Sequence, residues 1–296
     1  MSKLNRGFNQ TALNGSIGAV TYVTRKGITV AKQKVPAKIS YRKTMKNMPQ
    51  KMKWVNLLRM WQALNVVGWR PSFTNKTGLQ TDFNLFTKAN IGFATLYLPK
   101  PYADAGAGVV VPVQITQGSL PQVGGQLDDQ NKFVSNLNLG GLTIGASTTV
   151  AALSTAIIEH NDGWRDHDQL TIVILNQTVG DSDNVPRIKS DIYQLYLNST
   201  DETTIIGDLF DANILGTSEG KLALGAPLTA GGAAMVHSTE TADGYDVSSE
   251  TLVVNNPMSI QFEGNTALMT AIDSYGGLSR SQFLIPEPSD NSPQGV

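Results

Sequence analysis

The first clear pattern of apolar and polar positions predicts a β-hairpin near the start of the chain. Residues 17–24 (IGAVTYVT) and 28–35 (ITVAKQKV) are rich in β-branched side chains and alternate in part between apolar and polar. Between them stand Arg25, Lys26 and Gly27, and glycine can supply the positive φ that a tight turn needs. Neither face is strongly apolar, and an isolated hairpin is marginally stable in water. We therefore expect this hairpin to pack against another surface.

The second pattern predicts an amphipathic helix that begins near Pro49 and ends before Gly68. Apolar residues recur at i, i+3, i+4, i+7 and i+10, which is the spacing of one face of a helix. The residues of this predicted buried stripe are Trp54, Leu57, Leu58, Trp61 and Leu64. Two interpretations stay open, because the stripe could be an ordinary core face or a docking face for another subunit.

From about residue 91 the chain becomes a series of short β-rich segments separated by Gly, Pro, Asn and Asp. The predicted strands cover residues 92–98, 109–116, 133–139, 170–177, 188–198, 221–224, 233–238 and 251–255. Helices are predicted over residues 148–160 and about 266–275. Parallel strands would need a crossover helix between nearly every pair, so this order favours an antiparallel sandwich or barrel over a doubly wound sheet.

These elements predict a mainly β fold with some α. An N-terminal arm, a β-hairpin and an amphipathic helix would form a basic anchoring module over residues 1–90. An antiparallel β-sandwich-like body would follow over residues 91–285, and a flexible tail rich in Pro and Ser over residues 286–296. No apolar run approaches the ~18 residues needed to span a bilayer, so we expect no membrane partner.

The chain carries its charge in two opposed sections. Residues 1–81 contain fifteen Lys and Arg residues and no carboxylate, and residues 1–101 contain seventeen cations and one carboxylate, a net charge of +16. The remaining residues hold six cations and 23 carboxylates, a net charge of −17. Such asymmetry points to association with nucleic acid, a membrane surface or a complementary partner rather than to a fold. The basic section could also lie against the acidic body of its own chain or of a neighbouring copy.

The candidate contact residues are cations of this first section. They are Arg25, Lys26, Lys32, Lys34, Lys38, Arg42, Lys43, Lys46, Lys51, Lys53 and Arg59. Cations held at phosphates release counterions and would bind DNA. This binding would be independent of sequence, because no recognition helix or zinc finger accompanies the cations. The same cations could equally sit against the acidic rim of another protein subunit.

The residues offer little catalytic chemistry. The chain has no cysteine, which excludes disulfides, iron–sulfur clusters and a thiol nucleophile. Residues 159–168 (EHNDGWRDHD) combine two histidines with four carboxylates, but they lack the HExxH spacing of a zinc helix and are better interpreted as a solvated turn. Residues 216–220 (GTSEG) match G-x-S-x-G, but a strand follows them, so we predict a hairpin turn. We expect no enzymatic activity, no metal and no cofactor.

Several segments of the chain resemble a family of proteins. They are residues 14–18 (NGSIG), 20–22 (VTY), 25–27 (RKG), Thr44, Gln50 and 53–57 (KWVNL) and, further along, residues 159–161, 166–170, 233–238 and 247–248. The N-terminal match spans about residues 7–66. It resembles an uncharacterised family found in gut-dwelling bacteria of the Bacteroidota type and in the tailed phages, crAss-like phages among them, that infect these bacteria. The resemblance implies a structural component of a phage particle and no enzymatic activity.

We therefore expect a virion protein, made in the cytoplasm of the bacterial host, that sits in the capsid, the neck or the tail. Its expected partners are further copies of itself, virion subunits with acidic surfaces and, without sequence specificity, packaged DNA. The alternative from another class is a cytoplasmic, sequence-independent DNA-binding protein of the nucleoid type. A third hypothesis is a metal-dependent enzyme that uses His160 and His167.

Overall fold

The computed structural model describes residues 3–4, 15–17, 20–25, 28–33, 48–66, 68–92, 94, 96–210, 214–242, 244–255 and 272–274. The strands of this part are β1 (Lys3–Leu4), β2 (Gly15–Ile17), β3 (Val20–Arg25), β4 (Ile28–Gln33), β5 (Gly125–Leu127), β6 (Phe133–Asn138), β7 (Gln169–Val179), β8 (Pro186–Tyr196), β9 (Leu215–Ser218), β10 (Lys221–Leu224), β11 (Gly231–Thr241), β12 (Gly244–Val247) and β13 (Val253–Asn255). The helices are α1 (Met48–Leu64), α2 (Asp82–Asn90), α3 (Lys100–Asp104), α4 (Val150–His160) and α5 (Ile206–Leu209). The strands form three sheets.

The N-terminal sheet has the strand order β1-β4-β3-β2 and is antiparallel. Strands β3 and β4 form the predicted hairpin, in which Tyr22 lies opposite Ala31 and Val23 lies opposite Val30. None of the described side chains in this sheet is buried. No described residue before Val55 contributes to either hydrophobic core of the body.

The larger body sheet has the order β12-β11-β7-β8, and β13 pairs with the same edge of β11 as β12 does. Strands β7 and β8 pair along their whole length. Because side chains of a strand alternate between its two faces, β7 presents Leu170, Ile172 and Ile174 to one side and Val173 and Leu175 to the other. Both sets are buried, so this sheet carries a hydrophobic core on each face.

The first core lies between the larger sheet and a smaller antiparallel sheet with the order β5-β6-β10-β9. It joins Phe133 and Leu222 of the smaller sheet with Leu170 and Ile172 of the larger one, and Leu153 of α4 packs into the same cluster. Two antiparallel sheets that share a core make a β-sandwich. The predicted mainly β fold with a sandwich-like body is therefore confirmed.

The second core covers the opposite face of the larger sheet. It joins Leu57 and Met60 of α1 and Phe86 of α2 with Val173 and Leu175 of β7. The residues of α1 and α2 belong to the predicted module 1–90, and their apolar side chains share this core with the body. Among the described residues, no helix combines the length and apolar character needed to cross a membrane.

The buried face of α1 differs from the predicted stripe. Leu57 and Leu64 are fully buried, but Trp54 is 40% exposed, so its assignment to the buried stripe is wrong. Leu58 and Trp61 are half-buried. The buried residues among the described side chains of α1 are Met52, Lys53, Asn56, Leu57, Met60 and Leu64. The buried face is rotated away from Trp54 because it includes two polar residues that have specific partners in the interior.

One of these partners is a buried segment, residues 107–115, that runs through the second core. The strand predicted over residues 109–116 is reduced to an isolated antiparallel bridge between Gln114 and Thr251, with backbone hydrogen bonds between residues 113–116 and residues 250–252. Side-chain amides bond other backbone groups of the segment. The Asn56 amide of α1 accepts a hydrogen bond from the N–H of Val109 and donates one to its carbonyl, at 2.9 Å each. The Asn90 amide of α2 does the same at Gln114, at 2.7 and 3.0 Å.

A third amide reaches the same segment from the larger sheet. The Oε1 atom of Gln177 in β7 accepts from the N–H of Val110 at 2.8 Å, and its Nε2 donates to the carbonyl of Gly108 at 3.1 Å. Buried backbone groups that lack partners cost free energy, so these amides bond the groups that the pairing with residues 250–252 leaves open. They also fix α1, α2 and β7 around one segment.

The other predicted elements of the body are present in part. Strands β6, β7, β8, β10, β11 and β13 and helix α4 correspond to predicted segments, with ends shifted by a few residues. The predicted strand over residues 92–98 is not formed among its described residues, and α2, α3 and α5 were not predicted. The predicted helix near residues 266–275 lies outside the described residues except for 272–274, which are helical, and the predicted tail 286–296 lies outside them entirely.

Residues 216–220 form the predicted hairpin turn. Strands β9 and β10 pair with Ser218 opposite Lys221, and the two residues between them, Glu219 and Gly220, have positive φ angles of 49° and 72°. Two consecutive residues with positive φ are typical of a type I′ turn. Ser218 therefore lies in a strand and not at the strand-to-helix turn that a serine nucleophile of this motif requires.

Replacing Asn56 by alanine should lower the free energy of unfolding by about 2–4 kcal/mol, because it leaves the buried N–H and carbonyl of Val109 without these partners. Asn84, an exposed residue of the neighbouring helix α2, is the matched control, and Asn84→Ala should cost less than about 0.5 kcal/mol. Urea unfolding followed by circular dichroism measures both values. Equal costs for the two variants would contradict the role assigned to the Asn56 amide.

Candidate functional site

The predicted contact cations occupy different environments. Lys32 on β4 and Lys51 at the start of α1 are exposed. Lys53 is only 3% exposed, and its ammonium lies 5.3 Å from the centroid of the Tyr97 ring in a cation–π contact. Lys53 therefore does not face a partner, and its assignment as a surface contact is wrong, whereas Arg59 is half-buried. The side chain of Arg25 and the residues Lys26, Lys34, Lys38, Arg42, Lys43 and Lys46 lie outside the described part of the chain.

The segment of histidines and carboxylates at residues 159–168 connects α4 to β7. His160 and His167 are exposed, and Asp166 accepts hydrogen bonds from the backbone N–H and the hydroxyl of Ser199, at 2.7 Å each. These hydrogen bonds hold the pKa of Asp166 below its usual value. Within the described ranges, no three His, Asp or Glu side chains come together as a metal-binding group. The segment is thus a hydrogen-bonded and largely exposed loop.

A buried histidine–carboxylate pair connects this loop to the larger sheet. His237 of β11 is fully buried, and its Nε2 lies 2.9 Å from Oδ2 of Asp168, which is 1% exposed. Trp164 stacks on the imidazole, with ring centroids 3.7 Å apart and an interplanar angle of 12°. The backbone N–H of Arg165 also donates to Oδ2 of Asp168, at 3.0 Å. The loop, the start of β7 and the middle of β11 are therefore held together at one point.

Burial determines the protonation of this pair. Removal from water lowers the pKa of His237, and the hydrogen bond to Asp168 raises it by less. The imidazole is therefore neutral near pH 7 and donates its Nε2 proton to the carboxylate. Its Nδ1 has no hydrogen-bond partner among the described residues. Because both side chains are sealed from solvent, the pair does not reach a substrate and holds the structure instead.

This pair is not among the candidates predicted from the sequence. Those candidates were His160 and His167 beside the carboxylates of the same loop, whereas Asp168 pairs with a histidine 69 residues further along the chain. The available signal was His237 itself, a polar residue in an otherwise apolar strand segment, because a buried polar group needs a hydrogen-bond partner. The partner could not be identified without the register that places His237 opposite Leu170.

A second buried carboxylate, that of Glu250, forms hydrogen bonds to the backbone next to the smaller sheet. Glu250 is 2% exposed, and its carboxylate accepts hydrogen bonds from the N–H groups of Val123 at 2.6 Å and Gly124 at 3.0 Å. Burial raises the pKa of Glu250 despite these hydrogen bonds. The backbone N–H of Glu250 also donates to the carbonyl of Thr116, at 3.2 Å. Glu250 thereby joins the chain after β12 to residues 116–124.

A cleft of about 1150 Å³ opens where the outer face of the larger sheet changes from apolar to polar. The face that carries Val173 and Ala234 in the second core continues along β7 with Thr171 and Gln169 and along β11 with Ser238. Gln169 and Ser238 lie opposite each other and are both 7% exposed, and the Ser238 hydroxyl donates to Oε1 of Gln169 at 3.3 Å. The Nε2 of Gln169 has no hydrogen-bond partner among the described residues.

Aromatic side chains line this cleft above its polar floor. Tyr196 at the end of β8 and Tyr245 in β12 are 59% and 58% exposed. Trp69 lines the cleft from the loop that follows α1. The Nε2 of Gln194 in β8 donates to the carbonyl of Gly68 at 3.3 Å, which attaches this loop to the sheet. The cleft therefore lies between the end of the sheet and the loop after α1.

The formal charges of the cleft balance. Its described lining contains two cations and two carboxylates, which are Arg70, Lys76, Asp82 and Asp246. The Nζ of Lys76 lies 2.7 Å from Oδ1 of Asp82, which also accepts the N–H of Phe73 at 3.0 Å. Burial acts to raise the pKa of Asp246, but hydrogen bonds from the Ser119 hydroxyl and from backbone N–H groups outweigh it and lower that pKa. Both carboxylates are therefore already engaged in contacts within the protein.

Comparisons with family models, with curated proteins and with solved structures gave no match to this chain. The resemblance to the phage-associated family therefore stays a prediction from the sequence segments alone. Function has to be inferred from the contacts, the burial and the charges of the described residues.

The pH dependence of stability tests the buried pair. The pKa of His237 in the folded protein lies below the unfolded value of 6.5, so below about pH 6.5 the unfolded chain binds more protons than the folded one. The free energy of unfolding should therefore decrease as the pH falls from 7 to 5. In His237→Gln this decrease should be smaller, by up to about 1.4 kcal/mol per pH unit.

Urea unfolding at pH 7, 6 and 5 gives the slope for each variant. His160→Gln and His167→Gln are the controls, since each removes an exposed histidine of the same protein. The assignment fails when the slope of His237→Gln equals that of the wild type, or when a control variant removes the pH dependence.

Proposed function

We propose that this protein is a non-enzymatic structural component of a tailed-phage particle, which attaches through its basic N-terminal section to acidic surfaces of neighbouring subunits. The observation that carries the proposal is the lack of burial among the described side chains of the N-terminal sheet. No described side chain of that sheet is buried, and none joins either hydrophobic core. Small sheets need an apolar face packed on another surface to be stable. A partner beyond the described body would supply such a surface.

The charges indicate which kind of partner fits. Lys32 is exposed and shares a strand face with Val23 and Val30, so this face offers both cationic and apolar groups. The section up to residue 101 carries a net charge of +16, and the rest of the chain carries −17. Attachment of the basic section to the acidic body of a second copy, or to another acidic subunit, would pair opposite charges.

The chemistry of the body supports a structural role. The Asp168–His237 pair is sealed from solvent, and Ser218 of the G-x-S-x-G motif lies in a hairpin strand. At these two places, the side chains of the body hold segments of the chain together and do not present reactive groups. The resemblance of residues 7–66 to a phage-associated family supports the same function.

Charge reversal in the basic section tests the proposal. Lys43→Glu with Lys46→Glu should lower the amount of protein recovered with purified particles by about tenfold at physiological salt, because it replaces attraction to an acidic neighbour by repulsion. Arg165→Glu with Lys189→Glu is the matched control, since it changes the net charge equally at exposed positions of the acidic body, outside the basic section. Thermal unfolding checks that both variants fold.

Equal recovery of the two double variants would contradict attachment through the basic section. The DNA-binding alternative is distinguished with the purified full-length chain. Retention of random duplex DNA that falls steeply with salt, without any assembly of the protein alone, would favour a nucleoid-type protein. Assembly into rings or shells in the absence of DNA would support the structural function.

A further inference from the structure

The cleft at the end of the larger sheet is left unexplained by attachment through the N-terminal section. We propose that this cleft binds a neutral oligosaccharide. Tyr196 and Tyr245 would stack on sugar rings, and amide and hydroxyl side chains of the lining would exchange hydrogen bonds with sugar hydroxyls. The inference is independent of the proposed function, because it rests on a different surface of the molecule.

The exposed tyrosines are the first argument. Among the described large apolar and aromatic side chains, Tyr196 and Tyr245 are the two most exposed, at 59% and 58%, and both line this cleft. Exposed apolar surface gathered at a concave site is typical of ligand binding. The face of an aromatic ring carries partial negative charge, which complements the weakly positive C–H groups on the face of a pyranose ring. Sugar rings therefore suit these side chains.

The polar side chains of the lining are the second argument. Gln169 and Ser238 are hydrogen-bonded to each other, and the Nε2 of Gln169 is shielded from solvent, so the groups available to a ligand lie elsewhere in the lining. Amide and hydroxyl side chains both donate and accept hydrogen bonds, as sugar hydroxyls do. Asn65, Gln194 and Thr241 add further groups of this kind to the lining.

The balanced charge of the described lining argues against single-stranded nucleic acid as the ligand of this aromatic cleft. Single-stranded nucleic acids also stack on aromatic side chains, but their binding grooves are strongly positive because they follow the phosphates. Here two cations face two carboxylates, and Lys76 is already paired with Asp82. A neutral ligand fits this lining better than an anionic one.

The size of the cleft favours an oligosaccharide over a single sugar. Its volume of about 1150 Å³ exceeds the ~300–1,000 Å³ of ordinary small-molecule pockets. The exposed tyrosines show that the cleft is open to solvent, so a chain of sugars can extend out of it.

The test uses the purified full-length protein on an array of neutral oligosaccharides built from the common hexoses, pentoses and N-acetylhexosamines. Titration calorimetry with the best-bound oligosaccharide then compares Tyr196→Ala and Tyr245→Ala with the wild type. Each variant should weaken binding by about tenfold or more, because it removes one stacking surface. Both tyrosines are exposed, so both variants should fold. Trp54→Ala is the matched control, since Trp54 is an exposed aromatic side chain that does not line the cleft.

Tyrosine-dependent binding of a neutral oligosaccharide, unchanged in Trp54→Ala, supports the proposal. It is overturned when no neutral oligosaccharide binds, when both tyrosine variants bind as tightly as the wild type, or when the tyrosines are needed for an oligothymidylate probe and not for any sugar. Lys43→Glu with Lys46→Glu should retain full sugar binding. Loss of particle attachment and loss of sugar binding are therefore separable, and failure of one proposal leaves the other standing.

Discussion

Three side-chain amides that bond the backbone of residues 107–115 hold the outer helices to the sandwich. This segment is buried in the second core, where each unpaired N–H or carbonyl group would cost about 1–3 kcal/mol. Asn56, Asn90 and Gln177 supply these partners from α1, α2 and β7. Because an amide side chain both donates and accepts, each can bond a backbone N–H and a carbonyl at once. The positions of both helices on the sheet follow from this constraint.

The cleft is a consequence of the same arrangement. Helix α1 ends at Leu64, but the larger sheet extends past the end of this helix. On the same face that α1 covers elsewhere, the uncovered end of the sheet carries polar side chains. The loop after α1 then turns towards β8, where Gln194 bonds the carbonyl of Gly68. The polar end of the sheet is thus enclosed by a loop and not by another helix. Because helix α1 stops before this end of the sheet, the surface there has buried amides and exposed tyrosines.

The two surfaces to which we assign functions differ in chemistry. The basic section offers cations and a small sheet in which no described side chain is buried, which suits an acidic protein surface. The described lining of the cleft has no excess charge and offers rings and amides, which suits a neutral ligand. A protein built in this way could attach through one surface and bind a second partner through the other. The buried Asp168–His237 pair lies between β7 and β11 and keeps the sheet beneath the cleft in one register.

The sequence by itself determined the hairpin, most strands of the sandwich, helix α4 and the separation of charge. These features depend on local periodicity or on composition, so residues close together in the chain are enough to predict them. It did not determine which side of α1 is buried, why residues 109–116 form no strand, or which carboxylate His237 meets. Asn56 meets a backbone 53 residues away, and His237 meets a carboxylate 69 residues away. Only the tertiary structure decided these contacts, because a buried polar group takes whichever partner the fold brings within hydrogen-bond distance.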